Sequence, residues 1–199
     1  MIEYRESILT DVRVISKIHE KSFQGFFLTT LGNYFLKTYY KSCIKSNKTT
    51  CICAIDEKQN IVGFSVGTHH SKGFHKKLIL NNIYSFAIQS IFILFTNPKA
   101  LFRLFKNLNK ESHREDIGDY AELLSIAVLV DKIGLGIGKG LLLEFEKKIK
   151  DQNIKKISLT TDFNSNDSVL SFYKSLGYEV YYDFITYPNR KMYRLIKKI

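Results

Sequence analysis

An almost continuous apolar run at residues 122–130 (ELLSIAVLV) leads into the glycine-rich segment IGLGIGKG at residues 133–140, and an amphipathic stretch follows at residues 141–152. The apolar run predicts a strand that is buried on both faces, and the amphipathic stretch predicts a helix. Because a strand of this kind has to be covered by helices, the segment favours a layered fold that contains both strands and helices.

The rest of the chain has the same mixture of strand-like and helix-like patterns. The polar segment 56–60 predicts a hairpin turn, and Pro188 with Asn189 predicts a second one. The 199 residues are 45% apolar and include two prolines, which predicts a single domain over residues 1–199. The mixed order of strands and helices predicts fold class α/β, α+β type. The predicted strands are residues 2–5, 51–55, 61–68, 122–130, 157–161, 180–187 and 191–196, and the predicted helices outside residues 73–112 are 11–23, 31–46, 141–152 and 167–176.

Composition restricts the class of partner. Lys and Arg number 30 against 19 Asp and Glu, and the net charge of +11 favours an anionic partner. Nucleic acid is not favoured, because the sequence has no recognised reading motif or dense arginine cluster. Adjacent His69 and His70 and a single Cys51-x-Cys53 pair lack the spacing of metal ligands, so no metal is expected.

Cysteine usage and the first residues bear on the cellular compartment. Three cysteines at low density suit a reducing cytosol better than a disulfide-stapled secreted domain. The first 13 residues carry charges throughout, which argues against a signal peptide. We therefore expect a cytoplasmic protein.

The glycine-rich segment predicts an anion site at the start of a helix. Alternating glycines let a ligand approach the backbone closely, and the free N–H groups of a helix start attract phosphate oxygens. The spacing fits neither a nucleoside-triphosphate loop, because Ile133 replaces its first glycine, nor the dinucleotide pattern. A flexible turn without a ligand is the alternative.

The loop, Ile133-x-x-Gly136-x-Gly138, resembles the acyl-CoA loop of the GNAT superfamily of N-acetyltransferases, whose usual form is Arg or Gln, two residues, Gly, one residue, Gly or Ala. Upstream, SIAVLVDK resembles the central strand of that superfamily. Downstream, NDSVLSFYKSLGY resembles its second signature, carried by Asn166, Tyr173 and the Gly177-Tyr178 pair. The resemblance covers about residues 122–187 and implies the GNAT acyl-CoA N-acyltransferase fold: a central, mixed, mostly antiparallel sheet flanked by helices and splayed at the acetyl-CoA strand.

The same resemblance implies acetyl-CoA as the cosubstrate. Ile133 departs from the usual Arg or Gln and removes a side-chain contact, and Asn166 could equally be the N-cap of its helix. Lys132 and Lys139 replace only part of the lost charge. The implied cofactor-binding residues are Ile126, Ala127 and Val128 along the pantetheine arm, Ile133, Gly134, Leu135, Gly136, Ile137, Gly138 and Lys139 around the pyrophosphate, and Asn166.

Two residues are implied in proton transfer. Glu122 matches the position of the glutamate that serves as base in the histone-acetylating branch, although a solvated or lysine-paired glutamate is the alternative. Tyr173 matches the tyrosine that protonates the departing thiolate, although a tyrosine with only a core role is the alternative. The implied reaction is direct transfer of acetyl to a primary amine of a small molecule, such as an amino sugar, in a ternary complex. A protein or peptide acceptor, or a non-catalytic acyl-CoA-binding module, remains open.

A helical insertion is predicted at about residues 74–112, with a break where Asn97 and Pro98 form a cap and a first turn. Its apolar run is interrupted by polar residues and falls short of a membrane span. Three roles remain open, in order of preference: a wall of the acceptor site, a homodimer interface, and, not favoured, peripheral contact with an acidic membrane surface.

Overall fold

The computed structural model describes residues 1–108 and 116–199 and contains one seven-stranded sheet. Its strand order is β1-β2-β3-β4-β5-β7-β6. The strands are β1 (Glu3–Glu6), β2 (Thr49–Ile55), β3 (Ile61–Thr68), β4 (Ala121–Val128), β5 (Lys156–Asp162), β6 (Glu179–Thr186) and β7 (Arg190–Lys198). The helices are α1 (Val12–Ser22), α2 (Phe27–Thr30), α3 (Asn33–Lys45), α4 (Phe74–Asn81), α5 (Ile83–Thr96), α6 (Pro98–Leu108), α7 (Ile137–Lys150) and α8 (Asp167–Ser175).

The sheet is mixed and mostly antiparallel, which confirms the fold class. Both predicted hairpins, β2 with β3 and β6 with β7, are present and antiparallel. The parallel pair is β4 with β5, and it joins the two halves of the sheet. The helix α7 connects these two strands, as a parallel crossover requires.

Helices cover the sheet on both faces and form two cores. The first core contains residues of α1, α3 and the insertion, and the second contains residues of α7 and α8. Full burial of β4 on both faces was wrong, because its residues alternate between buried and half-buried positions. Half of the β4 residues are only half-buried because a cleft opens beside this strand.

Two helix starts differ from the sequence-based expectation. The helix α7 begins at Ile137 rather than at residue 141, so Gly138 and Gly140 lie in its first turn. A Cβ on Gly140 would lie 2.0 Å from the Tyr4 hydroxyl oxygen, so this glycine allows close packing against β1. The helix α3 begins at Asn33, and the short α2 before it was not predicted.

The insertion consists of α4, α5 and α6, and residues 109–112 of its predicted extent lie outside the described residues. Its predicted break is confirmed, since the Ala100 amide donates to Asn97 Oδ1 at 3.2 Å at the start of α6. A second break at Asn82 bends α4 against α5 by 96°. No single helix among residues 1–108 and 116–199 is both long and apolar enough to cross a membrane, although α4 and α5 together meet that test of length and composition.

Substituting alanine for Gly67 tests the packing of α7 on the sheet. Its Cβ would lie 2.3 Å from Cζ of the fully buried Phe145 and 2.7 Å from the Glu122 carbonyl oxygen. We expect Gly67→Ala to lower the free energy of unfolding by about 1–3 kcal/mol, the usual cost of overpacking. Urea denaturation followed by circular dichroism measures the change.

The control is Gly138→Ala, where the nearest atom to the new Cβ is 3.8 Å away. Because alanine favours a helix over glycine by up to about 1 kcal/mol, this variant should be as stable as the unsubstituted protein or slightly more stable. Equal stability of both variants would contradict the packing argument.

Candidate active site

A cleft of about 420 Å³ opens where β4 and β5 separate. These strands pair over three residues, ending at Leu123 opposite Leu159, whereas β4 continues to pair with β3 as far as Val128. The edge of β4 that faces β5 is therefore open beyond Leu123, and the splay implied by the resemblance is present. The cleft is lined by residues of α1, α2, β4, β5, α8 and β7, among them His19, Phe23, Phe27, Ser125, Ile126, Thr161, Asp162, Asn166, Tyr173 and Arg190.

A β-bulge shapes the cleft wall. Leu124 has no partner on β3, because Gly67 lies opposite Leu123 and Val66 lies opposite Ser125. The predicted residues Ile126, Ala127 and Val128 follow the bulge, on the part of β4 that no longer pairs with β5. An extended acyl-pantetheine arm can pair with such an edge as an added strand does.

The loop after β4 presents unused amides. Within the described part of the chain, the N–H groups of residues 134–139 form no backbone hydrogen bond, and the N-cap of α7 is Gly136, which has no side chain to cap the helix. Gly134 and Gly136 have φ of +87° and +75°, and no atom lies within 4 Å of a Cβ built there. Free amides, open space and the positive end of a helix fit the pyrophosphate of an acyl-CoA.

The side chains of this loop add little to the amides. Ile133 and Leu135 are exposed, and Lys132 lies 3.6 Å from its neighbour Asp131. Lys139, in the first turn of α7, is exposed and can approach a phosphate. Any affinity of this loop for phosphate therefore rests mainly on the backbone.

The helix α8 places Tyr173 in the cleft wall. Its side chain is buried, and burial raises the pKa of its hydroxyl, which is therefore protonated at neutral pH. Among the described residues this hydroxyl has no hydrogen-bond partner, so its proton is available to a group in the cleft. Asn166 is the N-cap of α8 by position, and its Nδ2 donates to Thr161 Oγ1 at 2.6 Å and to the Asp162 carbonyl at 2.9 Å.

Glu122 lies beside the cleft but does not line it. Its Oε1 accepts a hydrogen bond from Arg194 Nη1 at 2.6 Å, and its Oε2 accepts one from the Ser71 hydroxyl. Both members of the ion pair are largely buried, so Glu122 is neither solvated nor paired with lysine. Burial lowers the pKa of Arg194, but the charge and hydrogen bond of Glu122, together with Tyr120 and Tyr182, outweigh burial and raise the pKa overall.

Ser71 connects Glu122 to a second cavity. This cavity of about 330 Å³ lies between α2, α4 and α6, and it shares Phe27 and Leu28 with the cleft. His75 also lines it and lies 3.4 Å from the Tyr39 hydroxyl. Glu122 can therefore exchange protons with this cavity only through Ser71 or through water held there.

His19 is a cleft residue that sequence reasoning did not select. Its Nδ1 lies 2.6 Å from the Tyr40 hydroxyl, whereas its buried Nε2 has no hydrogen-bond partner among the described residues. Burial lowers the pKa of His19 to about 4, so the imidazole is neutral at pH 7. A lone histidine in an amphipathic helix carries no signal in the sequence that distinguishes it from a surface histidine.

The outer rim of the cleft carries paired charges. Asp162 accepts two hydrogen bonds from Arg190, and the Arg190 guanidinium also lies 4.2 Å from the Phe26 ring centroid. Arg103 of α6 lies nearby, donates from Nε to the Tyr187 carbonyl at 3.2 Å, and has no carboxylate partner among the described residues. The positive charge of Arg190 and burial together lower the pKa of Arg103, and burial has the larger effect.

Metal-binding residue types are not grouped in the described part of the chain, where no three His, Cys, Asp or Glu side chains could hold an ion together. Cys51 and Cys53 are both buried in the first core, as alternation along a strand requires. Burial raises the pKa of Cys53 to about 11 and that of Cys51 to about 12, so both thiols are protonated at neutral pH.

Solved structures with the same fold are acetyltransferases. The ribosomal-protein-S18-alanine N-acetyltransferase of Escherichia coli is 13% identical, with a TM-score of 0.63 over 100% of this chain and 94% of that chain. A phosphinothricin acetyltransferase of Sinorhizobium meliloti in complex with acetyl-CoA is 14% identical, with a TM-score of 0.65 over 100% and 88%. The spermidine/spermine N-acetyltransferase of Vibrio cholerae is 13% identical, with a TM-score of 0.61 over 99% and 93%.

No curated protein shows significant sequence similarity to the chain. The sequence does match the acetyltransferase (GNAT) family over residues 13–178, a range that includes the strand, the loop and the second signature. The chain therefore belongs to the GNAT family and is an acetyl-CoA-dependent N-acetyltransferase.

Proposed function

We propose that this protein transfers acetyl from acetyl-CoA to the primary amine of a small molecule by direct attack in a ternary complex. The observation that carries the proposal is the open edge of β4, which leads from the cleft to the amide-rich loop. A thioester held along this edge would have its carbonyl close to backbone amides of β4, and such donors stabilise the negative charge that develops on the oxygen.

Two residues carry out the proton transfers of the proposed reaction. Tyr173 donates its proton to the thiolate of CoA as the carbon–sulfur bond breaks, since its raised pKa holds the hydroxyl protonated. Glu122 accepts the proton of the attacking amine through the Ser71 hydroxyl or a water molecule, because Ser71 lies between Glu122 and the second cavity. The neutral His19 is the alternative acceptor, since it lines the cleft directly.

The position of α6 supports a small acceptor. Its Arg103 guanidinium lies 5.0 Å from the Phe27 ring centroid on one side and donates to the Tyr187 carbonyl on the other. Phe102 adds an edge-on contact with Tyr187 at 6.0 Å. The helix thus bridges α2 and the turn between β6 and β7, which leaves less room beside the cleft for a long acceptor.

The charges at the rim favour an acceptor that carries an anionic group besides its amine. Asp162 is the acidic residue among those that line the cleft in the described part of the chain, and Arg190 neutralises it. A polyamine needs free carboxylates, whereas Arg103 offers a guanidinium that has no carboxylate partner among residues 1–108 and 116–199. An amino sugar joined to a phosphate, or an amino acid, has the required combination of groups.

Calorimetric titration with acetyl-CoA tests the cofactor site. We expect micromolar binding by the unsubstituted protein and no measurable binding by Gly136→Val, because a β-branched residue is strained at φ +75° and would cover the amides. The matched control is Leu135→Val, an exposed neighbour in the same loop, which should retain binding. Normal binding by Gly136→Val would place the pyrophosphate elsewhere.

Substituting the proton-transfer residues should lower kcat without weakening acetyl-CoA binding. We expect Tyr173→Phe and Glu122→Gln each to reduce kcat by about 100-fold or more, the usual contribution of general acid–base catalysis. Thiol release and calorimetry measure the two quantities on the same samples.

Two further variants separate the candidate bases. Ser71→Ala should resemble Glu122→Gln if the relay operates, and His19→Gln should then retain most of the activity. Loss of activity in His19→Gln with full activity in Glu122→Gln would assign the base to His19. Unchanged turnover in Tyr173→Phe would remove its role as the acid.

An acceptor panel tests the substrate class. We expect thiol release with amino sugar phosphates or amino acids, and none with spermidine or with peptides longer than a few residues. Arg103→Gln should raise KM for the anionic acceptors by about tenfold, the value of one charge-assisted contact, with kcat little changed. Equal activity on a neutral amine would contradict the role of Arg103, and acetyl-CoA binding without turnover on any amine would favour a non-catalytic acyl-CoA-binding module.

A further inference from the structure

The helix α5 presents an apolar surface to the outside of the protein. Its 14 residues include no charged side chain, and the residues it buries are Phe86 and Ile93, which face α3. On the opposite side, Tyr84, Ile88, Ile91 and Phe95 lie at spacings of four, three and four residues and are 60–85% exposed. The outer side of a helix in a water-soluble protein is usually polar, so an apolar stripe on the outer side of α5 is unusual.

Basic residues surround this apolar stripe. Residues 72–108 contain six Lys or Arg and no Asp or Glu. On the amino-terminal side of α5, a cavity of about 660 Å³ is lined by Lys45, Lys48, Lys72 and Lys77 and extends to Asn82, next to the first residue of α5. On the carboxy-terminal side, Lys99 and Lys106 of α6 are exposed.

We propose that the exposed side of α5, with its basic flanks, docks on a membrane surface that contains anionic lipids. The surface layer of such a membrane suits this arrangement. Its acyl chains can take up the apolar side chains, and its lipid phosphates attract the basic residues on either side. A second copy of the chain fits less well, because a two-fold contact through α5 would bring identical basic flanks together.

The length of α5 indicates a helix that lies in the surface rather than one that crosses the membrane. Fourteen residues span about 21 Å at 1.5 Å per residue, less than the roughly 30 Å of a bilayer core. The 96° bend at Asn82 prevents α4 from extending it along the same axis. Docking through α5 would hold α6, and with it the acceptor side of the cleft, close to the lipid headgroups.

Vesicle sedimentation of the full chain tests the docking independently of catalysis. The probes are vesicles of phosphatidylcholine alone and of an equimolar mixture of phosphatidylcholine and phosphatidylglycerol. We expect at least about tenfold tighter binding to the mixed vesicles, and a loss of about tenfold or more in both Ile91→Ser/Phe95→Ser and Lys77→Glu/Lys99→Glu. The matched control Lys150→Glu/Lys155→Glu makes the same charge change on exposed residues away from α5 and should bind like the unsubstituted protein.

Several results would overturn the proposal. One is absence of sedimentation with either vesicle, and another is an equal loss in the control pair, which would indicate attraction by net charge alone. A dimer in light scattering that Ile91→Ser/Phe95→Ser converts to a monomer, without vesicle binding, would assign the surface to a second copy. Acetyl-CoA binding by each variant reports that the fold is intact. A loss of vesicle binding can therefore be distinguished from a loss of the proposed acetyltransferase activity.

Discussion

The cleft depends on a buried ion pair that holds its closed end together. Glu122 of β4 and Arg194 of β7 meet across the intervening β5, where Ser158 accepts a further hydrogen bond from Arg194 at 3.3 Å. Three strands are thus joined at the level where β4 and β5 are still paired. Breaking a buried pair by removing one partner costs about 3–5 kcal/mol, so the charges at this point constrain the sheet strongly. Beyond it no charged pair joins β4 to β5 among the described residues, and the strands can separate.

The same ion pair limits what Glu122 can do chemically. A carboxylate whose two oxygens already accept hydrogen bonds from Arg194 and Ser71 is held in one orientation and has few lone pairs left for a substrate. Its link to the acceptor side therefore runs through the Ser71 hydroxyl, which can pass a proton only when it rotates or when water joins it. One residue would then both hold the strands together and serve as a base, which explains why a pattern of residue types alone leaves its role ambiguous.

Local patterns in the sequence predict the strand, the loop and the helix of the cofactor site because each of them is encoded within a few residues. Apolar runs mark β4, and alternating glycines mark the free amides at residues 134–139. The start of α7 was wrong by four residues, since glycine disfavours helices by intrinsic preference whereas packing against Tyr4 requires it at position 140. The Glu122–Arg194 pair could not be predicted, because its members are 72 residues apart and no local spacing relates them. His19 was missed for the same reason, since its partner Tyr40 lies on another helix.

Two helices of the insertion, α5 and α6, place their apolar residues differently, although both are rich in apolar residues. The helix α6 turns its apolar side inward, where Ala100, Leu101 and Leu104 are buried in the first core. Its Arg103 is left near the rim of the cleft, 5.0 Å from the ring centroid of Phe27. The helix α5 cannot do the same, because α3 receives only the narrow strip that includes Phe86 and Ile93. The break at Asn97 ends α5 and starts α6, so the two helices bury separate sets of apolar residues and leave others at the surface.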